Sequence, residues 1–208
     1  MNIAGNELEI NKDNFEERAN RIVYLTPPHS PSIVTTISNN GTTNIGSFEQ
    51  TMLCSNWPPI ILLAISPKSD TLKNILDEKE CVIGFPYPEN RQLSYDLGVR
   101  LEYGNPEAGL VEGINFSKSK LVKPPRLDQC WASFEAKLCW AKEAGDHTVC
   151  AMEVEHTIFD KRLWSDSRVE RRTGLPALYY ATSGEYGTVE NWEPTERSSG
   201  VIDFDHAD

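Results

Sequence analysis

The sequence lacks long apolar segments. Its longest uninterrupted one, residues 60–65, is far shorter than the roughly 20 residues that a membrane-spanning helix needs. The first 25 residues carry charged side chains throughout and no apolar core of the kind that a signal peptide has. We therefore expect a cytoplasmic protein that does not cross a membrane.

Basic residues are also scarce. The chain has 20 Lys and Arg against 31 Asp and Glu, for a net charge of −11 at pH 7. Nucleic acids and anionic membranes bind to basic surfaces, so we expect neither as a partner. An anionic ligand must then be held locally, by backbone N–H groups, hydroxyls and one or two cations.

Paired cysteines and two common motifs are missing. The five cysteines are odd in number and widely separated, with no Cys-x-x-Cys pair, which favours reduced thiols, most of them in the core, over a disulfide framework. The four histidines show no metal-ligand spacing, so we predict no metal site. No Gly-x-Gly-x-x-Gly segment is present, which leaves a Rossmann-type dinucleotide site without support.

The sequence does contain many short segments of β-strand character. Residues 32–38 and 42–48 are rich in β-branched side chains and flank an Asn-Gly pair, which predicts a hairpin. Residues 60–66 are apolar on both faces, which is typical of a central strand. A second long hairpin is predicted from residues 132–141 and 148–159, and further strands from residues 81–85, 178–180 and 186–188.

Predicted helices are few and short. One begins near residue 69, with Ser69 or Asp70 as its N-cap and with Leu72, Ile75 and Leu76 on one face. Two others are predicted at residues 15–24 and near residues 91–99, the latter within a proline-rich excursion over residues 86–130, and a charged connector covers residues 160–173.

The order of these elements favours one domain that is mainly β. The regular alternation of strands and helices that βαβ units require is missing, so a small β-barrel with short peripheral helices is the predicted fold class. We divide the chain into a polar lead-in with a short helix (residues 1–24), the barrel domain (25–190) and an acidic tail (191–208).

Five segments follow one another in an order that resembles a known family. Residues 33–60 run from a hairpin to a Pro-Pro turn, residues 66–75 read Ser-Pro-Lys-Ser-Asp-Thr-Leu-Lys-Asn-Ile, and residues 145–149 read Gly-Asp-His-Thr-Val. Weaker matches lie within residues 108–126 and 176–187. Together they resemble the flavin reductase-like, FMN-binding split-barrel family, in which they look like the opening hairpin, the flavin-contacting strand, the phosphate-side loop and the Gly-Asp-His element.

The resemblance implies a split β-barrel that binds FMN at a homodimer interface. It leaves three functions open. The first is an FMN-dependent oxidoreductase that takes hydride from NADH or NADPH and passes electrons to free flavin or another acceptor. The second is a flavoredoxin-like FMN electron carrier without a nicotinamide site, and the third is a flavin-free binding protein on the same fold.

The resemblance also implies which residues contact the cofactor. The loop that enters the helix would hold the phosphate, since a helix N-terminus offers N–H groups and partial positive charge, although Ser69 or Asp70 could merely cap the helix. The strand before it would pass the isoalloxazine ring. The implied cofactor-binding residues are Asn44, Ser47, Phe48, Glu49, Gln50, Thr51, Met52, Lys68, Ser69, Asp70 and Thr71.

Two of these residues depart from the family pattern. Glu49 stands where many relatives have a small hydroxyl residue, and Met52 stands where Asn, Ser or Thr is usual. A carboxylate that faced the ring would disfavour the anionic reduced flavin. Alternation from Phe48 favours the outward, solvated orientation of Glu49.

His147 is the predicted active-site side chain. By the resemblance it would lie near the flavin, on the face that meets a nicotinamide, where it would act in positioning and electrostatics, since hydride transfer needs no general base. The alternative is that Asp146 and His147 are turn residues that hydrogen-bond locally.

Overall fold

The computed structural model describes residues 27–98 and 113–163, together with the shorter pieces 3–4, 7–8, 176, 178–182 and 185–188. The predicted helix at residues 15–24 and the predicted acidic tail lie outside the described residues. Of the predicted charged connector, residues 160–163 are described, and Lys161–Leu163 form one 3-10 turn.

Strands dominate the described residues. The helices are α1 (Asp70–Glu78) and α2 (Arg91–Asp96), and neither has the length and apolar composition that a membrane-spanning helix requires. The strands are β1 (Ile3–Ala4), β2 (Glu7–Leu8), β3 (Ser32–Ile37), β4 (Thr43–Phe48), β5 (Thr51–Asn56), β6 (Pro59–Ile65), β7 (Glu80–Pro86), β8 (Phe116–Ser117), β9 (Arg126–Leu127), β10 (Cys130–Ala144), β11 (His147–Phe159), β12 (Leu178–Thr182) and β13 (Glu185–Thr188).

Seven strands form one antiparallel sheet in the order β4-β3-β7-β10-β11-β6-β5. Strands β4 and β5 lie at its opposite edges, although only Glu49 and Gln50 separate them in the chain. The sheet must therefore curl until its edges approach each other, and the hydroxyls of Ser32 and Thr51 meet across the gap at 2.6 Å. Because the edge strands do not pair with each other in the described residues, the barrel is open, which confirms the predicted split barrel with short peripheral helices.

The main core fills the inner face of the curled sheet. On β6, Ile61, Leu63 and Ile65 are 4%, 0% and 0% exposed, and each fully buried side chain of this size stabilises the fold by about 2 kcal/mol. Helix α1 closes one end with Leu72 and Ile75. A smaller cluster on the outer face of β3 and β4 comprises Ile33, Ile45, Leu97 and Leu127.

Two sequence expectations about apolar residues were wrong. Strand β6 is second from an edge of the sheet rather than central, and only alternate residues are buried, so Leu62 and Ala64 stay partly exposed on the outer face. In α1, Leu72 and Ile75 are buried but Leu76 is 38% exposed, because the face of the helix that contacts the core is too narrow to include Leu76.

Both predicted hairpins form around glycines that adopt positive φ. Gly41 (φ 84°) lies in the β3–β4 turn and Gly145 (φ 63°) in the two-residue β10–β11 turn, a backbone conformation that costs glycine little. Strand β10 pairs with β7 as far as Lys137 and then continues to Ala144 with β11 alone. Beyond Lys137, β10 is therefore an edge strand, while β11 continues to pair with β6 on its other side.

The cysteine prediction was correct for part of the set. All five described cysteines are free thiols. Cys81 and Cys150 are buried in the main core, and burial raises the pKa of Cys150 to about 11. Cys54 and Cys139 are exposed, because they lie on β5 at the sheet edge and on the part of β10 that extends beyond β7.

A buried carboxylate organises the loop that precedes β9. Glu135 on β10 is 0% exposed and accepts hydrogen bonds from the backbone N–H groups of Lys120 (2.9 and 3.0 Å) and Leu121 (2.6 Å). The same loop is tied to β3, where the Thr35 hydroxyl donates to the Pro125 carbonyl at 2.5 Å. These contacts hold the backbone at residues 120, 121 and 125 against the outer face of the sheet.

Candidate functional site

Three of the segments implicated by sequence meet at one end of the barrel. Thr148 on β11 pairs with Ile65 at the end of β6, so His147 lies beside the loop of residues 66–69 that leads into α1. On the other side of β6, the Ala64 N–H donates to the Gln50 carbonyl at 3.0 Å. The sheet register thus brings together His147, the α1 N-terminus and the start of β5.

The α1 N-terminus has the geometry of a capped helix. Ser69 is the N-cap, and its hydroxyl accepts the Thr71 N–H at 3.2 Å, which confirms the capping prediction and selects Ser69 over Asp70. The first turn of a helix still directs N–H groups and partial positive charge outward. Lys68 is exposed next to this end, while Asp70 adds a carboxylate in the first turn. An anion bound here would therefore rely on Lys68 and the backbone.

Asn44 and Thr71 lie behind that surface, in the protein interior. They are 6% and 1% exposed, and the Asn44 amide donates to the Thr71 hydroxyl at 2.9 Å. Asn74 donates to Thr36 in the same group at 3.0 Å. These side chains tie α1 to β3 and β4, so their place in the structure is to set the position of the helix N-terminus.

The start of β5 presents an open strand edge. Strand β5 pairs only with β6 among the described strands, which leaves a row of backbone N–H and C=O groups for a ligand. Gln50 is exposed and Met52 is 61% exposed. The Thr51 hydroxyl is engaged with Ser32, so the backbone of this segment is better placed than its side chains to read a planar ring.

Ser47, Phe48 and Glu49 point to different faces of the sheet. Phe48 packs against the main core, whereas the Ser47 hydroxyl lies 3.1 Å from the Ser94 hydroxyl of α2, on the outer face. Glu49 also lies on the outer face, as alternation predicts, but it is half-buried rather than solvated. Burial raises the pKa of its carboxyl, and a hydrogen bond from the Tyr180 hydroxyl lowers it in part.

Tyr180 is the contact that the sequence did not predict. It lies on β12, far from Glu49 in the chain, in a segment that the sequence predicted only as a strand. No local pattern specifies which distant strand covers a given residue, so this contact requires the three-dimensional structure.

His147 is partly exposed at the base of the β10–β11 turn. Its side chain is 28% exposed, and its Nδ1 atom lies 2.8 Å from the carboxylate of Asp146, which is 94% exposed. This pair is the local hydrogen bond that the turn interpretation requires. His147 itself lies at the same end of the barrel as the residue 66–69 loop, and the site interpretation stays a prediction.

Comparison with known proteins identifies the family. The family model described as "Flavin reductase like domain" matches residues 26–189. An uncharacterized protein of Aquifex aeolicus (strain VF5) is 31% identical over 172 residues, which cover 76% of this chain and 86% of that protein.

Solved structures share the fold at lower identity. The nitrilotriacetate monooxygenase component B of Bacillus cereus aligns with a TM-score of 0.82 at 16% identity, over 92% of this chain and 100% of its own. A 2-nitrobenzoate 2-nitroreductase of Pseudomonas fluorescens gives 0.80 at 17%, over 95% and 100%. An FMN-binding protein of Thermus thermophilus, solved with bound 1-cyclohex-2-enone, gives 0.72 at 20%, over 92% and 100%. The family match extends across nearly the whole barrel, and the chain belongs to the flavin reductase-like domain family.

Proposed function

We propose that the chain is an FMN-dependent oxidoreductase that takes hydride from NADH or NADPH and passes electrons to free flavin or another acceptor. The observation that carries this proposal is the convergence of the α1 N-terminus, the open edge of β5 and His147 at one end of the barrel. Membership of the flavin reductase-like family supports it.

The residues at this end of the barrel are of the chemical types that FMN binding requires. The α1 N-terminus and Lys68 would hold a phosphate, and the exposed backbone edge of β5 offers donors and acceptors to the polar rim of an isoalloxazine ring. FMN supplies the hydride chemistry when it is bound. The protein would bind and orient the flavin and tune its reduction. His147 would act by donating a hydrogen bond to the nicotinamide carboxamide or by favouring negative charge on the reduced flavin.

The names of the structural relatives point to more than one acceptor. One is named a nitroreductase and one a monooxygenase component, and these names belong to different reactions. For this reason we name the acceptor only as free flavin or another acceptor, and we propose FMN on the basis of the FMN-binding relative.

Spectroscopy of the purified protein tests the function. We expect flavin absorbance in the visible region and its loss when NADH or NADPH is added without oxygen. Retained flavin that neither nucleotide bleaches would instead assign the carrier function. A protein that neither retains FMN nor binds added FMN would be the flavin-free alternative.

The phosphate contact predicts a difference between two flavins. Lys68→Ala should weaken FMN binding about tenfold, the effect of losing one charge-assisted contact of roughly 1.4 kcal/mol, while riboflavin affinity changes less than twofold. Isothermal titration of both ligands measures this. Lys161→Ala is the matched control, since Lys161 follows the far end of β11. Equal affinity of the parent for FMN and riboflavin would remove the phosphate site.

His147→Ala should slow flavin reduction without changing FMN affinity. Losing a preorganised donor in a dry site slows a reaction roughly 100- to 1,000-fold, and because His147 is 28% exposed we expect about tenfold. Stopped-flow reduction of the FMN-loaded proteins by NADH measures the rate. Asp146→Ala is the control, because it removes the turn hydrogen bond and keeps the imidazole. If both variants lose thermal stability and neither slows reduction, His147 belongs to the turn alone.

We also propose that the protein is a homodimer. Four residues in cross-strand register form an apolar row on the outer face: Met52 on β5, Leu62 on β6, Ala151 on β11 and Trp140 on β10. Met52 is 61% and Trp140 48% exposed. Leu62 is partly exposed and Ala151 is buried beneath the row, so the exposed apolar side chains are those of Met52, Leu62 and Trp140. The four adjacent strands span about 14 Å, which places these side chains within one region of the surface, and exposed apolar patches mark association sites.

A further inference from the structure

Glu49 lies where several parts of the chain meet. The Tyr180 hydroxyl on β12 donates a hydrogen bond to its carboxylate, and His29 is close enough to interact with its charge. His29 and Tyr180 also exchange two backbone hydrogen bonds, of 3.1 and 2.8 Å. Strand β12 is thus fastened both to the segment before β3 and to Glu49, the first residue after β4.

A second line of contacts joins the same hairpin to α2. The Tyr186 ring on β13 packs edge-on against the Tyr180 ring, with centroids 5.1 Å apart, and its hydroxyl is hydrogen-bonded to Ser94. The Ser94 and Ser47 hydroxyls lie 3.1 Å apart. The β12–β13 hairpin is therefore linked to Ser47 near the end of β4 and to Glu49, which directly follows that strand.

The backbone of Glu49 connects this cluster to the start of β5. The Thr51 N–H donates to the Glu49 carbonyl at 2.9 Å, and the next carbonyl, of Gln50, accepts from Ala64. A half-buried carboxylate is costly unless it is hydrogen-bonded, so its contact with Tyr180 constrains where the turn can lie. A displaced turn would shift the open edge of β5.

We propose that Glu49 is a positioning residue: its carboxylate docks the β12–β13 hairpin onto the β4–β5 turn and thereby holds the open edge of β5 in place for the flavin. The part that concerns flavin rests on the proposed function. On this assignment the departure of Glu49 from the family pattern places no negative charge on the ring, because the charge is directed to Tyr180 on the outer face.

Hydrogen exchange tests the docking without any flavin. In Glu49→Ala and in Tyr180→Phe, the amides of His29 and Tyr180 should exchange about tenfold faster than in the parent, and the double variant should be no faster than either single variant, because both remove one contact. Glu49→Gln keeps an acceptor oxygen and should stay within threefold of the parent. Glu89→Ala, at an exposed carboxylate outside the cluster, is the matched control and should not change exchange.

Flavin binding tests the second half of the proposal. Glu49→Ala should weaken FMN binding about tenfold, while Glu49→Gln retains the affinity and the reduction potential of the parent complex. A carboxylate that faced the ring would instead give Glu49→Gln a more positive potential, and that result would overturn the assignment. So would parent-like exchange in both Glu49→Ala and Tyr180→Phe. If Glu49→Ala fails to fold, Tyr180→Phe carries the exchange test alone, since it removes a single hydroxyl. A parent that binds no flavin would refute the proposed function and leave the exchange result to decide the docking.

Discussion

Glu135→Ala should lower the free energy of unfolding by about 2 to 3 kcal/mol. The carboxylate is 0% exposed and accepts three hydrogen bonds from the backbone of Lys120 and Leu121. Removing it leaves these donors without their acceptor, and each donor left unsatisfied in a partly buried setting costs about 1 to 3 kcal/mol. The Thr35 contact to Pro125 persists, so the loop should loosen near residue 120 while its far end stays attached.

Denaturant unfolding of the parent and two further variants makes this measurement specific. Glu135→Gln keeps one acceptor oxygen but turns an amide N–H group toward backbone donors, so its loss should fall between the parent and Glu135→Ala. Glu143→Ala makes the same change at an exposed position of the same strand and should stay within about 0.5 kcal/mol of the parent. A loss below about 1 kcal/mol for Glu135→Ala would contradict the role given to this carboxylate.

Local signals were sufficient for the hairpins and for α1. Asn40-Gly41 and Gly145-Asp146 predicted turns at the places where Gly41 and Gly145 adopt positive φ, because turn chemistry depends on two or three adjacent residues. Ser69 capped the helix for the same reason. The order of these elements, together with the family resemblance, was enough to predict the split barrel.

Features that depend on distant contacts were not predictable in this way. The exposure of Leu62 follows from the position of β6 next to an edge strand. The spacing of apolar residues along the chain does not specify the order of the strands in the sheet. Thr71 was predicted to offer its hydroxyl to an anion, yet Asn44, 27 residues earlier, holds it in the interior. Glu49 is covered by a tyrosine of β12, which no pattern around residue 49 indicates. In each case a long-range partner decides the environment of a correctly assigned local element.

Introducing charge into the apolar row should convert the protein from a dimer to a monomer. The parent should have the mass of a dimer at micromolar concentration with FMN bound. In the Met52→Glu, Trp140→Glu double variant, we expect the dissociation constant to rise at least about 100-fold, which corresponds to roughly 2.7 kcal/mol. Two carboxylates per subunit would have to be buried or opposed across a symmetric interface, and both arrangements are unfavourable.

The control for this experiment distinguishes the effect of a carboxylate introduced anywhere on the surface from the effect of one introduced into the apolar row. Leu76→Glu places the same carboxylate at an apolar residue that is 38% exposed on α1, outside the row, and should leave the mass unchanged. Thermal melting checks that the double variant is folded, since its two positions are already 61% and 48% exposed in the single chain. Because Met52 also belongs to the open edge of β5, the double variant should bind FMN more weakly as well. A parent that is monomeric at micromolar concentration while it retains FMN would contradict the homodimer, and a double variant that stays dimeric would move the interface away from this row.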